Sequence, residues 1–239
     1  MMSQLRKFTH QTLTAKGFYS SGVLFRLRPE KSRDEVELKL ISNYLATVRD
    51  FASSTFLFVG AGYGRLIEEL AVTHTPKRVI AVEIVDYYAD EITKNVPSRE
   101  DVEIVIEDYF EFPYETVGED RAVILLNWSI IADFGSIEAI QYMFERFKDT
   151  AKEVLVIGDM PHQATYKPQI DSYFAQHPEE TYGTFVMRHI NNEGDFKSFL
   201  PTSAFLIDAV QKLGYSLELF EEYQDETGNG RYMVGFRST

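Results

Sequence analysis

The sequence contains no cysteine and only one tryptophan in 239 residues. The lack of cysteine excludes disulfide bonds, thiolate metal sites, iron–sulfur clusters and a cysteine nucleophile. Positive charge is also scarce, because 24 Lys and Arg stand against 37 Asp and Glu, for a formal net charge of −13 at pH 7. Such a balance disfavours a broad nucleic-acid surface or an anionic-membrane surface, since both require a basic face.

Long apolar stretches are missing as well. The N-terminal segment has no continuous apolar run of the signal-peptide kind, and runs such as Ala122–Leu126 are too short to cross a bilayer. We therefore expect a soluble, cytoplasmic protein. Hydrophobic residues make up 44% and aromatic residues 14% of the chain, a composition typical of a folded domain with a ring-lined pocket.

Short apolar segments alternate with amphipathic ones along most of the chain. The apolar segments predict five strands, at Thr55–Gly60, Lys77–Glu83, Val102–Ile106, Ala122–Asn127 and Glu153–Gly158. Continuous apolar strands separated by helices indicate a parallel sheet that is covered on both faces. Two further strands, Ser216–Glu221 and Arg231–Arg237, flank the turn-rich DETGNG and predict an antiparallel hairpin at the end of the chain.

The pattern thus predicts an α/β fold with a seven-stranded, mostly parallel sheet, an antiparallel C-terminal hairpin and helices on both faces. Before the first strand, Ser32 and Glu35 form a capping-box pattern that opens a helix to about Asp50. We assign residues 1–50 to an N-terminal helical cap and 51–239 to the core. An insertion at about 161–201, without clear periodicity, is expected to build the substrate pocket.

The strongest chemical signal is VGAGYGR, Val59–Arg65, between the first predicted strand and the next helix. Its glycines allow a sharp turn that brings backbone N–H groups close to a ligand. Glu83 closes the second strand, where an acid can accept hydrogen bonds from both hydroxyls of a ribose. Asp108 follows the third strand, in a position to accept a hydrogen bond from an adenine amino group. These positions are at the carboxyl ends of strands, where open α/β sheets bind ligands.

The order and spacing of these motifs resemble the class I S-adenosylmethionine-dependent methyltransferase family from about Phe51 to Asp159, and more weakly to Arg237. VGAGYGR resembles the glycine motif of that family, VIAVEI its ribose-binding acid motif and IEDYFEF its adenine-contacting segment. LLNWSIIADF resembles the segment after strand four, and RYMVGFR the reversed last strand. The resemblance implies a Rossmann-like class I methyltransferase fold and an S-adenosylmethionine-dependent methyltransferase.

The resemblance also implies a set of cofactor-binding residues. They are Gly60, Ala61 and Gly62 at the methionine part, Glu83 at the ribose, Ile84, Asp108 and Tyr109 at the adenine, and the Asn127 carbonyl and Trp128 at the methyl side. One position departs from the family, which usually has an acid two residues before the first glycine. Here that residue is Phe58, so one polar link at the methionine end is missing.

Three alternatives share parts of this pattern. Aminopropyltransferases of the polyamine synthase type use decarboxylated S-adenosylmethionine, but their fourth strand ends in an aspartate, where this chain has Asn127. A nicotinamide-dependent Rossmann enzyme fits the glycine loop, but no sixth parallel strand precedes the hairpin. A non-catalytic binding protein on the same fold is favoured only by Phe58.

Methyl transfer is an SN2 displacement, and a base is needed only when the nucleophile arrives protonated. Candidates for that base are Asp133, Asp159 and His162, and candidates for substrate binding are Tyr19, Trp128, His162, Tyr166 and Arg188. We expect O- or N-methylation of a small organic acceptor of the natural-product or small-metabolite type. We expect no metal and no nucleic-acid or membrane partner, and the chain is compatible with a homodimer.

Overall fold

The computed structural model describes residues 2–20, 31–48, 53–96, 102–117, 122–127, 129–161, 167–176, 184–188, 195–225 and 228–239. The helices are α1 Met2–Ser20, α2 Lys31–Leu45, α3 Ile67–His74, α4 Asp86–Asn95, α5 Ile130–Asp133, α6 Ile137–Lys148, α7 Lys167–Gln176 and α8 Ser203–Gln211. The strands are β1 Thr55–Val59, β2 Arg78–Glu83, β3 Val102–Ile106, β4 Ala122–Leu126, β5 Ala151–Asp159, β6 Thr184–Arg188, β7 Asp195–Phe199, β8 Tyr215–Gln224 and β9 Gly230–Ser238. None of these helices is both long and apolar enough to cross a membrane.

Seven strands form one sheet in the order β3-β2-β1-β4-β5-β9-β8. Strands β1 to β5 pair in parallel, β9 runs antiparallel to β5, and β8 runs antiparallel to β9. This confirms the predicted mostly parallel sheet with its closing hairpin. Strands β2 and β3 lie on one side of β1 in the sheet, and β4 and β5 lie on its other side. The strand order therefore reverses between β1 and β4. A crevice for a ligand is expected at the carboxyl ends of those strands.

The sheet is covered on both faces because successive side chains of each strand point to opposite sides. On β1, Phe56 and Phe58 belong to a buried cluster that includes residues of α2, α3 and α4. Leu57 and Val59 belong to the other cluster, which includes residues of α5, α6 and α8 together with Phe8 of α1. The helices on both faces are therefore as predicted.

Several predicted boundaries differ from the observed ones by a few residues. Helix α2 begins at Lys31, one residue before the predicted cap Ser32, and ends at Leu45 rather than near Asp50. Ser136 caps α6 as predicted, because its hydroxyl oxygen accepts a hydrogen bond from the Ala139 N–H at 3.2 Å. Both hairpin strands are longer than predicted, since ladder hydrogen bonds continue into polar residues at their ends.

The insertion contains structure that the sequence pattern did not reveal. Helix α7 is followed by a separate two-stranded sheet in which β6 and β7 pair antiparallel. Strand β7 packs against α1 and the short helix α5. The insertion and the N-terminal helix therefore meet on the same side of the main sheet.

Phe58 is buried in the apolar cluster on the α2 side of the sheet, with 1% of its surface exposed. An acid at this position would place a carboxylate among aliphatic and aromatic side chains. The phenylalanine is thus part of the core of this protein.

Replacing this ring with a carboxylate should destabilise the fold. We expect Phe58→Asp to lower the free energy of unfolding by about 3–5 kcal/mol, because the new charge is buried without a partner. Phe58→Leu, which keeps the site apolar, should cost less than about 1.5 kcal/mol. Urea unfolding monitored by circular dichroism measures both values. Equal losses for the two variants would show that the introduced carboxylate finds a partner or reaches water.

Candidate functional site

The loop after β1 is built from residues with left-handed backbone. Gly60 and Gly62 have φ of +63° and +57°, a region that other residues rarely adopt. A Cβ on Gly60 would lie 2.4 Å from Cδ1 of Ile130 at the start of α5. The Ala61 N–H donates to the Val82 carbonyl at 3.0 Å, which ties the loop to the end of β2. Glycine is therefore required at the point where β1, β2 and β4 come together.

Glu83 at the end of β2 holds the loop through its buried carboxyl group. One carboxylate oxygen accepts a hydrogen bond from the Gly62 N–H at 2.6 Å, and the other accepts one from the Val85 N–H at 2.9 Å. Burial raises the pKa of Glu83 to about 7, although these backbone hydrogen bonds oppose the shift. The Ile84 backbone N–H is a third donor to this carboxylate, which offers about four acceptor positions, so about one remains for a ligand.

The end of β4 forms a third wall. The Asn127 carbonyl accepts a hydrogen bond from the Ile130 N–H at 3.1 Å, and Ser129 has a φ of +63°. Nη1 of Arg231, on β9, donates to the Ser129 hydroxyl at 3.2 Å and also forms an ion pair with Asp159. Strand β9 thus fixes the turn that follows β4.

Helix α1 closes the cavity from above through Ala15 and Tyr19. The Tyr88 hydroxyl donates to the Tyr19 backbone carbonyl at 3.0 Å, and Lys16 pairs with Asp86 at 3.2 Å. Both contacts attach α1 to α4. Helix α1 therefore contributes to the wall of this cavity.

Asp133 is a second buried acid in the same cavity, with 7% of its surface exposed. Its carboxylate accepts a hydrogen bond from the Tyr19 hydroxyl, and the Tyr109 hydroxyl donates to its backbone carbonyl at 3.4 Å. Burial raises the pKa of Asp133 to about 8, and the charges of Glu83 and Asp159 add to the increase. Near neutral pH the group therefore holds a proton unless a cation lies beside it.

The space among these elements, including the part that opens to solvent, is about 630 Å³. The lining residues come from α1, the glycine loop, the end of β2, α4, and the segments after β3 and β4: Ala15, Tyr19, Gly60, Ala61, Gly62, Tyr63, Arg65, Glu83, Ile84, Tyr88, Tyr109, Asn127, Ile130 and Asp133. In the part of the chain that is described, no group of three His, Asp or Glu side chains is placed to hold a metal ion.

Most of the residues selected from the sequence that are described lie at this cavity. The lining includes Gly60, Ala61, Gly62, Glu83, Ile84, Tyr109 and Asn127 from the cofactor set, together with Asp133 and Tyr19. Asp108 is not in the lining, and its carboxylate accepts hydrogen bonds from the Phe110 N–H at 2.8 Å and from the Thr12 hydroxyl of α1. Asp159 is also outside the lining and is paired with Arg231.

Four selected residues have no described side chain. Trp128, His162 and Tyr166 lie outside the described residues, and for Arg188 only the backbone position in β6 is described. Their assignments stay predictions.

Sequence reasoning missed Tyr88, Ala15, Tyr63, Arg65 and Ile130 as lining residues. Tyr63 and Arg65 belong to VGAGYGR itself, so the motif already contained their signal. Tyr88 and Ala15 carry no local signal, because only the packing of α1 onto α4 brings them to the cavity.

Comparison with solved structures shows which fold this is. The chain matches an S-adenosylmethionine-dependent methyltransferase from Methanosarcina mazei with 15% identity over 83% of this chain and 96% of the other, and a TM-score of 0.63. It also matches the magnesium protoporphyrin IX methyltransferase of Synechocystis PCC 6803, solved with bound S-adenosylhomocysteine. The identity is 11%, the match covers 96% of this chain and 100% of the other, and the TM-score is 0.65. A third match is the 1,6-didemethyltoxoflavin-N1-methyltransferase of Burkholderia thailandensis. The identity is 12%, the match covers 96% of this chain and 87% of the other, and the TM-score is 0.62.

No protein-family model and no curated protein matches the chain. The structural matches define the fold as that of the class I S-adenosylmethionine-dependent methyltransferases. The resemblance seen in the sequence is therefore confirmed at the level of the fold.

The buried acid Asp133 should make the stability of the free protein depend on pH. Its pKa of about 8 lies above that of the unfolded chain, so its stabilising contribution is complete below about pH 4 and is lost as the pH rises through 8. Between pH 6 and pH 9 we expect the wild type to lose about 2.5–3 kcal/mol of unfolding free energy relative to Asp133→Asn.

Urea unfolding at several pH values measures this difference. Asp208→Asn, which neutralises an exposed carboxylate on α8, is the matched control and should follow the wild type. If the wild-type and Asp133→Asn curves ran parallel from pH 6 to pH 9, the carboxyl group of Asp133 would not be titrating in a buried setting.

Proposed function

We propose that this protein is a methyltransferase that transfers a methyl group from S-adenosylmethionine to a small organic acceptor. The observation that carries the proposal is the Glu83 carboxyl group, which is buried at the end of β2 and bonded to the Gly62 N–H of the glycine loop. A ribose and the adjoining chain of the cofactor require an acceptor and an approachable backbone side by side, and this cavity offers both.

The cavity suits the cofactor in polarity. S-adenosylmethionine supplies a methyl group activated by a sulfonium cation. Glu83 and Asp133 face the same enclosed space, and a cation between them favours the ionised form of both. Ile84 and Tyr109 offer apolar surface for the adenine, and the Asn127 carbonyl is an acceptor for the ammonium group. The S-adenosylmethionine or S-adenosylhomocysteine bound in the solved structures of magnesium protoporphyrin IX methyltransferase and of the N-methyltransferase NodS supports this proposal.

The methionine end must be held without the usual acid, since Phe58 is in the apolar core. In this protein the loop itself is held by Glu83, which accepts the Gly62 N–H. The loss of the family acid therefore does not leave the glycine loop unsupported. This argues against a relic that has lost its cofactor site.

Catalysis by this site would consist mainly of holding the acceptor atom, the methyl carbon and the sulfur in line and of excluding water. Effective molarities of about 10⁵ M or more are reached when the reacting atoms are held in line. Helix α1 covers the cavity through Tyr19, and strand β7 of the insertion packs against α1 and α5. We propose that α1 and the insertion, residues 161–201, form the acceptor side, with 51–239 as the catalytic core.

Calorimetric titration with S-adenosylmethionine, S-adenosylhomocysteine and decarboxylated S-adenosylmethionine tests the proposal. We expect the first two to bind in the micromolar range, and the third at least ten-fold more weakly. Preference for the decarboxylated compound would indicate an aminopropyltransferase instead. No binding of the three would contradict the proposal.

Glu83→Gln should weaken binding of S-adenosylhomocysteine by about 10–100-fold, equivalent to about 1.5–3 kcal/mol. The amide cannot accept hydrogen bonds at both ends, whereas the carboxylate accepts them from the backbone N–H groups and from the ribose. Glu103→Gln, on the exposed side of β3, is the matched control and should bind like the wild type. Equal affinities for all three proteins, each shown to be folded, would rule out Glu83 as the ribose ligand.

Gly62→Val should abolish measurable binding, because a branched side chain at a φ of +57° strains the loop where the cofactor approaches. Gly228→Val introduces the same kind of strain at a φ of +79° in the closing hairpin, where a Cβ meets no atom within 4 Å. We expect this control to bind normally in the same calorimetric titration. Loss of binding in both variants would mean that backbone strain anywhere disturbs the site.

A further inference from the structure

The ionisable groups on the cavity wall are predominantly acidic. Glu83 and Asp133 contribute carboxyl groups, and Arg65 is the one Lys or Arg among the lining residues that the structure describes. Arg65 forms a buried ion pair with Glu37, whose other carboxylate oxygen accepts a hydrogen bond from the Tyr223 hydroxyl at 3.0 Å. The charge of Arg65 is therefore balanced by Glu37, and the two carboxyl groups of the cavity become negatively charged when a cation lies beside them.

Four tyrosines line the same cavity: Tyr19, Tyr63, Tyr88 and Tyr109. The faces of aromatic rings attract cations within about 6 Å of the ring centroid. Rings and carboxyl groups together favour a positively charged group on the acceptor. The walls thus distinguish between classes of acceptor.

Asp133 is the carboxyl group that the glycine loop does not use. Glu83 is engaged by the Gly62 and Val85 N–H groups, whereas the Asp133 carboxylate is met by the Tyr19 hydroxyl from α1. An ionised carboxylate at 7% exposure is costly without a cation beside it. A bound amine removes that cost, while an alcohol or phenol does not.

We propose that the methyl acceptor is an amine that is bound as its ammonium form by the Asp133 carboxylate and the surrounding tyrosine rings, with Asp133 taking its proton. This inference rests on the proposed methyltransferase function. It assigns Asp133 to substrate and Glu83 to cofactor, although both acids line one cavity.

The proposed step balances in atoms and charge. The ammonium group gives one proton to the Asp133 carboxylate and becomes a neutral amine with a free electron pair. That pair forms the new nitrogen–carbon bond while the carbon–sulfur bond breaks, and the bonding electrons stay on sulfur as S-adenosylhomocysteine. The product leaves as a methylammonium ion, and Asp133 releases its proton to water.

The groups that face Asp133 set the pH range of this step. They are Tyr19 from α1, Tyr109 after β3, Glu83 at the end of β2, and Asp159 at the end of β5, itself paired with Arg231. Burial, with the charges of Glu83 and Asp159, raises the pKa of Asp133 in the free protein to about 8. A neighbouring ammonium group lowers the pKa of Asp133, and burial raises it again once the amine has given up its proton, so the acid holds the proton during methyl transfer. The positive charge of the product then favours release of that proton to water.

A panel of matched probes tests the proposal with the full-length protein. The probes are benzylamine, tyramine and hexylamine, each with the alcohol and the carboxylate of the same carbon skeleton. Calorimetry measures their binding to the complex with S-adenosylhomocysteine, and mass spectrometry measures methyl transfer from trideuteromethyl-labelled S-adenosylmethionine. Both are run for the wild type, Asp133→Asn, Asp133→Glu and the surface control Asp208→Asn.

We expect at least one amine to bind at least ten-fold more tightly than its alcohol and carboxylate counterparts and to be methylated. Asp133→Asn should lose at least ten-fold in both readouts while its affinity for S-adenosylhomocysteine changes by less than about three-fold. Asp133→Glu should recover part of the loss, and Asp208→Asn should match the wild type.

Three results would overturn the proposal while leaving the methyltransferase function in place. They are intact cofactor binding without preference for any amine, transfer only to alcohols or carboxylates, and an Asp133→Asn variant that methylates amines like the wild type. Loss of S-adenosylhomocysteine binding in an Asp133→Asn variant that is shown to be folded would likewise reassign Asp133 to the cofactor. Failure of the wild type to bind S-adenosylhomocysteine would instead refute the proposed function, and this inference with it.

Discussion

The Glu83 carboxyl group is the constraint on which the rest of the site depends. It closes β2, accepts the Gly62 N–H across the crevice and accepts the Val85 N–H at the start of α4. One side chain thereby fixes three neighbouring segments. The glycines with left-handed backbone carry no side chain and so leave space beside it. The backbone donors keep the pKa of the buried carboxyl group from rising further than about 7. A second acid, Asp133, shares the cavity and is met there by the Tyr19 hydroxyl.

Two buried acids in one cavity make the free protein electrostatically unfavourable at neutral and alkaline pH. Each raised pKa means that folding costs free energy once the proton is lost. A bound cation would supply the compensating charge, and both the cofactor proposed and the acceptor proposed are cations. Stability of the free protein and affinity for cations are therefore opposite consequences of the same arrangement.

Most of the fold was predictable from local pattern. The five parallel strands are nearly continuous apolar runs, and the prediction of the closing hairpin needed only the turn residues between two short strands. Glu83, Asn127 and the glycines were predictable because chain order places them at strand ends.

The structure of the insertion was not predictable, since the sequence of α7 and of the β6–β7 hairpin shows neither a clear helical period nor a clear strand period. The positions of Tyr88 and Ala15 at the cavity were not predictable either, because these residues reach it only through the packing of α1 on α4. The ion pair of Asp159 with Arg231 also required the pairing of β5 with β9, which no local pattern predicts.

A crystal structure of the protein with S-adenosylhomocysteine tests the central claim most directly, because it locates the ligand atom by atom. We predict that both ribose hydroxyls lie within hydrogen-bonding distance of the Glu83 carboxylate, with the chain of the ligand against Gly60 and Gly62. We also predict that the Asp133 carboxylate makes no contact with the ligand and faces open space beside the sulfur. A ribose bound elsewhere, or an ammonium group of the ligand paired with Asp133, would contradict this assignment.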